Sequence, residues 1–576
     1  MKQTIIFGNI ITMGEITKQK IFAAILMSGM ATGMATVLTS CTDREDNPVQ
    51  KPQTVEEKMK SLYGENKEIT DGDFDQSLAV KCINGTFVGK KTDNIIAFKG
   101  IPFVGQQPVG DLRWKAPVEV VPDDRVYEAY YYAKSARQRE TSSEKAGYYY
   151  QSEDCLYLNV WKADEMTDAK KPVMVWIHGG AFEYGGTVDP LYNGHNLVKE
   201  NPDVIFVSIT YRLGIFGFLH LSHLPDGKDY PDAQNLGIMD EMMALKWIHE
   251  NIAGFGGDPD NVTIFGESAG GGSVAVLPLV EGSHKYFKKV IAQSGSPVFT
   301  RSSEQAIDCT NELMEALGCK TVADLQKVDV EKFLETSAII TLRVMPERDG
   351  KYLPLDPYAA YENGAAKDID IMQGCNKDEM NYFMVSGGGP EPFTAWGLDR
   401  KAKVISQMTD EEKALVESFY NDIPGESYEK ICRLYDQGWF IAPLIRLSEC
   451  QTMGGGKSFT YLFTPESSIP LMKSGHAVEV STVLNNPEVT DFTGRIFDPT
   501  FSKTMRRMWV QFAKTGIPSL SADQSPDGKA YEWPLYDLTD KNIMIFDEFN
   551  IHPEKESQRK MVDWEKTYFL TKYYCI

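Results

Sequence analysis

The sequence is short of positive charge. Its 576 residues carry 59 Lys and Arg but 81 Asp and Glu, so the formal net charge is −22. A surface this acidic repels phosphate backbones and anionic lipid headgroups, which argues against nucleic acid as a partner and against docking on an anionic membrane. The sequence also lacks an internal repeat, which excludes solenoids and propellers. A hydrophobic content of 42%, however, is enough for a sizeable core.

Residue groups that bind metals are also scarce. The chain has 8 His and 9 Cys, and no Cys-x-x-Cys pair or His cluster has the spacing of zinc ligands. His220 and His223 stand close in sequence, but the pair alone indicates a structural or surface role. We therefore expect neither a metal nor an organic cofactor.

One long apolar run occurs, and it lies near the N-terminus. Lys18 and Lys20 precede the run 21–38, which is followed at once by Thr-Ser and then Cys41. A basic segment, a short apolar core and small residues are typical of a secretory signal, and the Leu-x-Ser-Cys ending resembles a bacterial lipobox. We expect residues 1–40 to be a signal peptide and the thiol of Cys41 to be lipidated. A single transmembrane anchor is the alternative, although the run barely reaches a spanning length.

This ending predicts an exported, membrane-anchored lipoprotein on the periplasmic or cell-surface side of a bacterial envelope, which contacts the membrane through its lipid only. Residues 41–76 are polar and charged, which indicates a flexible tether before a globular domain over 77–576. Within that domain, Cys309 and Cys319 bracket a helix-like stretch and are a candidate disulfide in an exported protein. Two buried free thiols are the alternative.

The globular part alternates strand-like and helix-like patterns. Apolar runs at 173–177, 204–209 and 262–265 are typical of strands buried on both faces of a sheet. Between the last two runs, apolar residues recur at helical spacing over 237–252, and this helix face is interpreted as core packing. The alternation predicts an α/β fold with a large, mostly parallel sheet flanked by helices. Earlier, Asn-Gly at 84–85 between alternating segments predicts a small N-terminal antiparallel region.

One motif in this pattern can carry chemistry. Gly266, Glu267, Ser268, Ala269 and Gly270 form a Gly-x-Ser-x-Gly sequence between a buried strand and an apolar helix-like segment. In this context the motif predicts a nucleophile elbow, a sharp turn that lifts the serine hydroxyl above the sheet. The flanking glycines remove side chains that would collide in such a turn.

A serine hydroxyl is a poor nucleophile unless a base takes its proton. The elbow fold places an acid and then a histidine after the serine in the chain, which leaves His284, His476 and His552. His284 follows the serine too closely for an acid to intervene, and His552 lies in a polar stretch that reads as a surface turn. His476 follows a glycine just before an apolar segment. We predict that His476 is the base.

Acyl transfer also needs backbone N–H groups aimed at the negative charge that develops on the substrate oxygen, and each is worth about 10²–10³ in rate. The strand 173–177 runs into His-Gly-Gly-Ala-Phe at 178–182. We expect Gly180 and Ala181 to present two such N–H groups and Ala269 to supply a third.

These features together resemble the type-B carboxylesterase and cholinesterase family of α/β-hydrolases. The likeness runs from about residue 78 to 570, and the stretches that carry it are 98–103, 152–159, 211–218, 255–259, 293–297, 376–379 and 512–516. The resemblance implies an α/β-hydrolase fold and a bacterial carboxylesterase lineage, similar to para-nitrobenzyl esterases.

The resemblance also implies the acid of the triad, which would be Glu379. From the residues alone, Asp378 is about as good a candidate. Glu267 and Glu479 match family acids near the site, with an electrostatic or structural role. The family's disulfide would join Cys155 to a cysteine near Ala136, and none is there, so Cys155 is expected to be a free buried thiol.

The family's aromatic residue for binding quaternary ammonium groups is missing too, because 136–155 contains no Trp. The expected reaction is hydrolysis of a small-molecule carboxylic ester by Ser268, His476 and Glu379. Amidase, thioesterase or lipase activity is the alternative, and a non-catalytic binding protein on the same fold is a further one. Whether four aromatic residues line the substrate pocket or belong to the core stays open: Phe182, Tyr184, Phe299 and Trp396.

Overall fold

The computed structural model describes residues 61–139, 149–165, 169–339 and 344–558. The predicted signal peptide, Cys41 and most of the predicted tether lie outside these ranges. The end of the predicted tether is packed on the body: Tyr63 pairs with Tyr132, and the Asn66 side chain donates to the carbonyls of Lys99 and Tyr131 at 2.9 and 3.0 Å. The packed body therefore begins earlier than residue 77, because a backbone bridge and the Asn66 amide join this segment to residues far along the chain.

Strands alternate with helices along most of the described chain. In chain order the strands are β1 (Ala79–Cys82), β2 (Asn84–Val88), β3 (Lys90–Thr92), β4 (Ile95–Pro102), β5 (Asp123–Glu128), β6 (Ser135–Ala136), β7 (Gln151–Ser152), β8 (Tyr157–Ala163), β9 (Lys171–Ile177), β10 (Ile205–Ile209), β11 (Gly257–Glu267), β12 (Lys289–Gln293), β13 (Arg301–Ser302), β14 (Glu347–Arg348), β15 (Asp370–Asn376), β16 (Ser458–Phe463), β17 (Ile543–Asp547) and β18 (Asn550–Glu554). The helices are α1 (His195–Glu200), α2 (Gly214–Gly217), α3 (Leu236–Asn251), α4 (Ala269–Val276), α5 (Ser303–Leu317), α6 (Val322–Leu325), α7 (Val330–Ile339), α8 (Pro357–Glu362), α9 (Met380–Ser386), α10 (Pro390–Ser406), α11 (Asp410–Asp422), α12 (Ser427–Tyr435), α13 (Ala442–Met453), α14 (Val480–Val483) and α15 (Pro499–Thr515). A π-helix, Asp436–Ile441, joins α12 to α13.

An eleven-stranded sheet forms the centre of the described structure, in the order β18-β17-β16-β15-β12-β11-β9-β10-β8-β4-β3. The strands from β17 to β10 in this order are parallel to one another. The remaining strands, β18 at one edge and β8, β4 and β3 at the other, pair antiparallel. The apolar runs at 173–177 and 204–209 lie in β9 and β10, and 262–265 is the buried part of β11. The prediction of a large, mostly parallel sheet is confirmed.

Helices cover both faces of this sheet. Alternate residues of β9 pack into two separate cores, Val173 and Val175 into one and Met174 and Trp176 into the other. The first core includes residues of α3 and α4, and the second includes residues of α15. The predicted helix over 237–252 is α3, whose buried face is core packing as expected. No helix in the described part of the chain is long and apolar enough to cross a membrane.

The N-terminal strand region differs slightly from the prediction. β1 and β2 form the expected antiparallel hairpin, but β5 joins β2 in parallel. Cys82 pairs with Gly85, so Ile83 and Asn84 form the turn rather than Asn-Gly at 84–85. The Asn84 side chain explains the shift, because it donates to the carbonyl of Pro102 at 2.8 Å and accepts from the Trp247 indole at 2.9 Å.

The parallel strands bring several predicted site residues to one edge of the sheet. Ser268 follows β11 and Glu379 lies three residues beyond β15, while the segment 178–182 follows β9. The carboxyl ends of parallel strands share one edge, which is where open α/β sheets bind their ligands. This edge of the sheet therefore gathers the predicted site residues.

Candidate active site

The Gly-x-Ser-x-Gly motif forms a sharp turn between β11 and α4. Ser268 has φ 59° and ψ −122°, a conformation that costs a non-glycine residue of order 1–3 kcal/mol. A Cβ atom on Gly270 would lie 2.0 Å from the carbonyl oxygen of Ile177, and one on Gly266 would lie 2.6 Å from the same atom. Glycine at both positions thus lets the turn press against the end of β9. Ser268 is partly exposed although its neighbours in the motif are buried.

The loop after β9 lies directly beside this turn. A Cβ atom on Gly179 would lie 3.0 Å from the Cβ of Ser268. Gly180, Ala181 and Phe182 follow with φ values of 110°, 55° and 60°. No acceptor among the described residues takes the N–H of Gly180 or Ala181. Two predicted oxyanion donors therefore stand free next to the serine, and the predicted third donor, Ala269, is the first residue of α4.

His476 lies in the same place and pairs with Glu379. The Nδ1 atom of His476 is 2.5 Å from Oε2 of Glu379, and both side chains are buried. The His476 N–H also donates to the carbonyl of Glu379 at 3.2 Å. This arrangement selects the tautomer with a proton on Nδ1 and leaves Nε2 as the basic nitrogen.

Glu379 is held by two further donors that the sequence did not suggest. Its Oε1 atom accepts from the Ser294 hydroxyl at 2.5 Å and from the Asn376 N–H at 2.7 Å. Asp378 makes no contact with His476 in the described structure, and its carboxylate lies 4.0 Å from Lys377. Between the two acids that the residues alone left open, the geometry brings Glu379 to the histidine.

Two more buried carboxylates surround this pair. Oε1 of Glu267 is 3.0 Å from Nε2 of His476. Glu479 accepts hydrogen bonds from the side chains of Gln293 at 3.0 Å and Asn376 at 2.7 Å. The family resemblance implied that both acids lie near the site. In the structure Glu267 contacts His476, and Glu479 is linked through Asn376 to Glu379.

The burial of these charges changes their proton affinities. Burial alone lowers the pKa of His476, but the carboxylates of Glu267 and Glu379 raise it, with a net value of about 9. Burial raises the pKa of Glu267 to about 8, although His476 opposes this. Burial also raises the pKa of Glu479. The cluster thus holds its protons more tightly than the same groups do in water.

The predicted nucleophile and the predicted base are not hydrogen-bonded in the described part of the structure. No hydrogen bond links Ser268 to His476 among the described contacts, and Nε2 of His476 has no hydrogen-bond partner there. Such contacts are often long or misaligned without substrate and tighten in the reacting complex. Nε2 of His476 lies 3.0 Å from Oε1 of Glu267 without a hydrogen bond among the described contacts, so it is available to act as a base.

Three aromatic rings that the sequence did not identify enclose His476. The centroids of Tyr382, Phe383 and Phe440 lie 6.0, 5.0 and 5.3 Å from that of the imidazole. Phe383 stands one helical turn after Glu379 on α9, a spacing that would have placed it near the site. Phe440 lies on the π-helix, far away in sequence, and no local signal indicates it. These rings exclude water from one side of the imidazole.

The four aromatic residues whose position stayed open divide between site and core. Phe182 and Tyr184 are buried in the loop after β9. Phe299 is half-buried, and its ring centroid lies 5.8 Å from that of Phe440. Trp396 packs against Tyr435 and Trp439, in the same hydrophobic cluster as Phe440, and among the described ring contacts it makes none with His476.

The other histidines take structural positions. His220 lies 2.8 Å from the buried carboxylate of Glu347, and His223 contacts Asn311. His284 binds the carbonyl of Pro278, and His552 lies in β18 beside Glu554. The described residues hold no cluster of His, Cys, Asp or Glu arranged to bind a metal ion.

The candidate disulfide is a correction. Cys309 and Cys319 are both free in the structure. Cys309 lies in the middle of α5 and Cys319 lies beyond its end, so the helix separates them by roughly 12 Å at 1.5 Å per residue. A disulfide requires Cα atoms within about 7 Å. Cys155 is also free and buried, as expected, and it lines a small cavity together with Ala136.

Comparison with known proteins identifies the family. The model of the carboxylesterase family matches residues 76–563. The chain belongs to the carboxylesterase family. This carboxylesterase is 33% identical over 504 residues to the para-nitrobenzyl esterase of Bacillus subtilis, which covers 83% of this chain and 96% of that protein. It is 29% identical over 529 residues to the cholinesterase of Mus musculus, covering 83% and 84% of the two chains.

Solved structures agree. The carboxylesterase EST55 of Geobacillus stearothermophilus, determined at pH 6.2, superposes with a TM-score of 0.73 at 31% identity, covering 83% of this chain and 98% of that one. A PNB esterase structure superposes with a TM-score of 0.73 at 32% identity, covering 86% and 99%. The α/β-hydrolase fold is confirmed, and this member of the carboxylesterase family is a carboxylic-ester hydrolase.

Proposed function

We propose that this carboxylesterase cleaves small-molecule carboxylic esters through an acyl-enzyme on Ser268, with His476 as general base and acid and Glu379 as the orienting acid. The buried contact of 2.5 Å between Nδ1 of His476 and Glu379 carries the proposal. It leaves Nε2 of His476 as the basic nitrogen, and Ser268 stands in an elbow turn at the same edge of the sheet. The free N–H groups of Gly180 and Ala181 support the same reading.

The reaction takes two steps. Ser268 Oγ attacks the ester carbonyl while Nε2 of His476 takes its proton, and the carbonyl oxygen becomes an oxyanion near the N–H groups of Gly180, Ala181 and Ala269. His476 then gives the proton to the leaving alcohol, and the acyl group stays on Ser268. Water attacks this acyl-enzyme, His476 takes a proton from the water, and the acid is released as the serine regains its hydrogen.

The resting position of His476 shapes this proposal. Nε2 lies 3.0 Å from Glu267, so the imidazole must turn from that carboxylate towards Ser268 before it accepts the serine proton. A protonated imidazole is held by Glu267 and Glu379 together. Activity is therefore expected to rise with pH as the imidazole loses its proton.

The first test is a substrate series on residues 42–576, which omit the predicted signal and Cys41. Hydrolysis of p-nitrophenyl esters from acetate to palmitate would be measured for the parent chain, Ser268→Ala and His476→Ala. His284→Ala is the matched control, because its imidazole binds a backbone carbonyl away from the site. We expect short-chain turnover that either site substitution abolishes and the control retains.

The other outcomes would change the conclusion. A preference for long acyl chains would place the enzyme among lipases, and faster turnover of amides or thioesters would favour those substrates. A folded chain without serine-dependent turnover would contradict the proposal and favour a binding protein on the same fold.

We further propose that the chain is an exported lipoprotein anchored through Cys41. The apolar run 21–38 and the Leu-x-Ser-Cys ending support this. Growth with a labelled fatty acid should label the parent chain and leave Cys41→Ala unlabelled. Equal labelling of both would contradict lipidation at this residue.

A further inference from the structure

One buried glutamine clamps the loop that carries the free N–H groups. The Gln138 side chain is 3% exposed. Its Oε1 accepts from the N–H of Gly185 at 2.8 Å, and its Nε2 donates to the carbonyl of Gly185 at 2.8 Å and to that of Ala136 at 3.0 Å. The amide therefore pairs with both backbone groups of one residue, as a neighbouring strand would.

The loop needs such support because its backbone is strained. Gly180, Ala181 and Phe182 all have φ values between 55° and 110°, and a strained conformation persists only where its surroundings hold it. Gly185 closes the loop, since a Cβ atom there would lie 2.6 Å from the His178 ring. Gln138 thus ties the end of the loop, at Gly185, to the segment 136–138.

A second contact from the same segment holds the middle of the loop. Arg139, next to Gln138, forms an ion pair with Glu183, and the two side chains are 11% and 6% exposed. The N–H groups of Glu183 and Tyr184 donate to the carbonyl of Gly180 at 2.9 and 3.0 Å. The segment therefore holds the same turn that sets the position of Gly180.

We propose that Gln138 is a positioning residue for ester hydrolysis, which holds the loop 178–185 so that the N–H groups of Gly180 and Ala181 meet the oxyanion. The inference rests on the proposed function of these two donors. Gln138 acts through the loop and touches no reacting atom. Its loss should weaken binding of the transition state more than binding of the substrate.

The test compares full-length Gln138→Met with the parent chain. Methionine keeps the length of the side chain but removes all three hydrogen bonds. We expect kcat and kcat/KM for p-nitrophenyl butyrate to fall by about 10–100-fold, with KM within about threefold. The inhibition constant of a trifluoromethyl ketone, which forms an oxyanion on the serine, should rise by the same factor as kcat/KM falls.

Gln451→Met is the matched control. Gln451 is also a buried glutamine whose amide donates to two backbone carbonyls, those of Ala366 and Ile369 at 3.0 and 2.9 Å. It lies in α13, away from the site. We expect the control to lower the melting temperature and to leave kcat and the inhibition constant within about threefold.

Three results would overturn the inference: parent-like kcat in Gln138→Met, a loss of kcat without weaker binding of the ketone, or the same losses in Gln451→Met. If Gln138→Met does not fold, as judged by circular dichroism, Gln138→Asn replaces it. We expect Gln138→Asn to change kcat, kcat/KM and the inhibition constant in the same directions by smaller factors. Ser268→Ala separates the two proposals. Turnover that survives Ser268→Ala contradicts the proposed function, whereas serine-dependent turnover unaffected at Gln138 contradicts the clamp alone.

Discussion

Replacing Glu267 with glutamine should make the enzyme active at lower pH. The carboxylate of Glu267 lies 3.0 Å from Nε2 of His476, and it favours the protonated imidazole, which cannot act as a base. Glutamine has nearly the same shape and no charge. In Glu267→Gln the imidazole should therefore lose its proton at lower pH, and the acidic limb of the activity profile should move down.

The size of the shift follows from the charges around the imidazole. Burial lowers the pKa of His476, the two carboxylates raise it, and the net value is about 9. An opposite charge at this distance shifts a pKa by about 1–3 units, and each unit corresponds to about 1.4 kcal/mol. Because burial raises the pKa of Glu267 to about 8, this carboxyl is itself mostly protonated near neutral pH. The acidic limb of the activity profile reports the coupled titration of His476 and Glu267. We therefore expect its apparent pKa to fall by about one unit, near the lower end of that range.

The assay is kcat/KM for p-nitrophenyl butyrate between pH 5 and 10, which reports groups of the free enzyme. Glu241→Gln is the matched control, because Glu241 is a buried carboxyl that bonds to Ser273 at 2.8 Å instead of to His476. Its acidic limb should stay in place. An unmoved limb in Glu267→Gln, or one that moves to higher pH, would refute the reasoning that Glu267 holds the proton on His476.

Three further changes test other contacts. Glu379→Gln should lower kcat by about 10²–10⁴-fold, because an amide cannot stabilise the imidazolium. The control Asp378→Asn should keep kcat within about threefold of the parent value. Equal losses of kcat in the two variants, measured by steady-state kinetics, would contradict the assignment of Glu379. Ala136→Cys should form a disulfide with Cys155, since both residues line one cavity, and should stabilise the fold by about 3 kcal/mol; thiol titration and thermal unfolding check this, and an unchanged thiol count would contradict it. Gly270→Ala places a Cβ atom 2.0 Å from a backbone oxygen, so it should cost about 1–3 kcal/mol and most of the activity; a parent-like melting temperature and turnover would contradict the packing of the elbow.

Much of the fold could be predicted because its signals are local. Strands buried on both faces, such as β9 and β10, must be apolar throughout, and α3 shows its core-facing side at helical spacing. The elbow is also local, since a turn that presses Gly270 against Ile177 tolerates no side chain. These patterns stand in short stretches of chain and need no knowledge of their neighbours.

The predictions that failed depend on geometry over longer distances. The disulfide between Cys309 and Cys319 was wrong because the helix between them separates the two thiols. The packing of the end of the predicted tether on the body was not foreseen, because the bridge between Tyr63 and Tyr132 joins segments that are far apart in sequence. The aromatic ring of Phe440 reached His476 from a π-helix that no local pattern announces.

The acid of the triad cannot be chosen from the residues alone. Asp378 and Glu379 stand side by side, and the residues alone do not rank them. In the structure the buried Asp436 accepts the N–H of Met380 at 2.8 Å, where α9 begins, and Ser294 donates to Glu379 at 2.5 Å. These contacts come from other elements and turn Glu379, rather than its neighbour, towards the imidazole.

The sequence by itself therefore determined the type of fold, the elbow serine and the short set of histidines that could serve it. These depend on hydrophobic pattern, on glycine and on chain order. The family resemblance implied Glu379 as the acid, and the tertiary structure decided how Glu379 meets His476, how close Glu267 lies to that histidine, and which backbone groups of the loop beside the serine Gln138 binds. The physical reason is that these contacts join residues that the parallel strands, and the loops after them, bring to one edge of the sheet. No short stretch of chain encodes such distances.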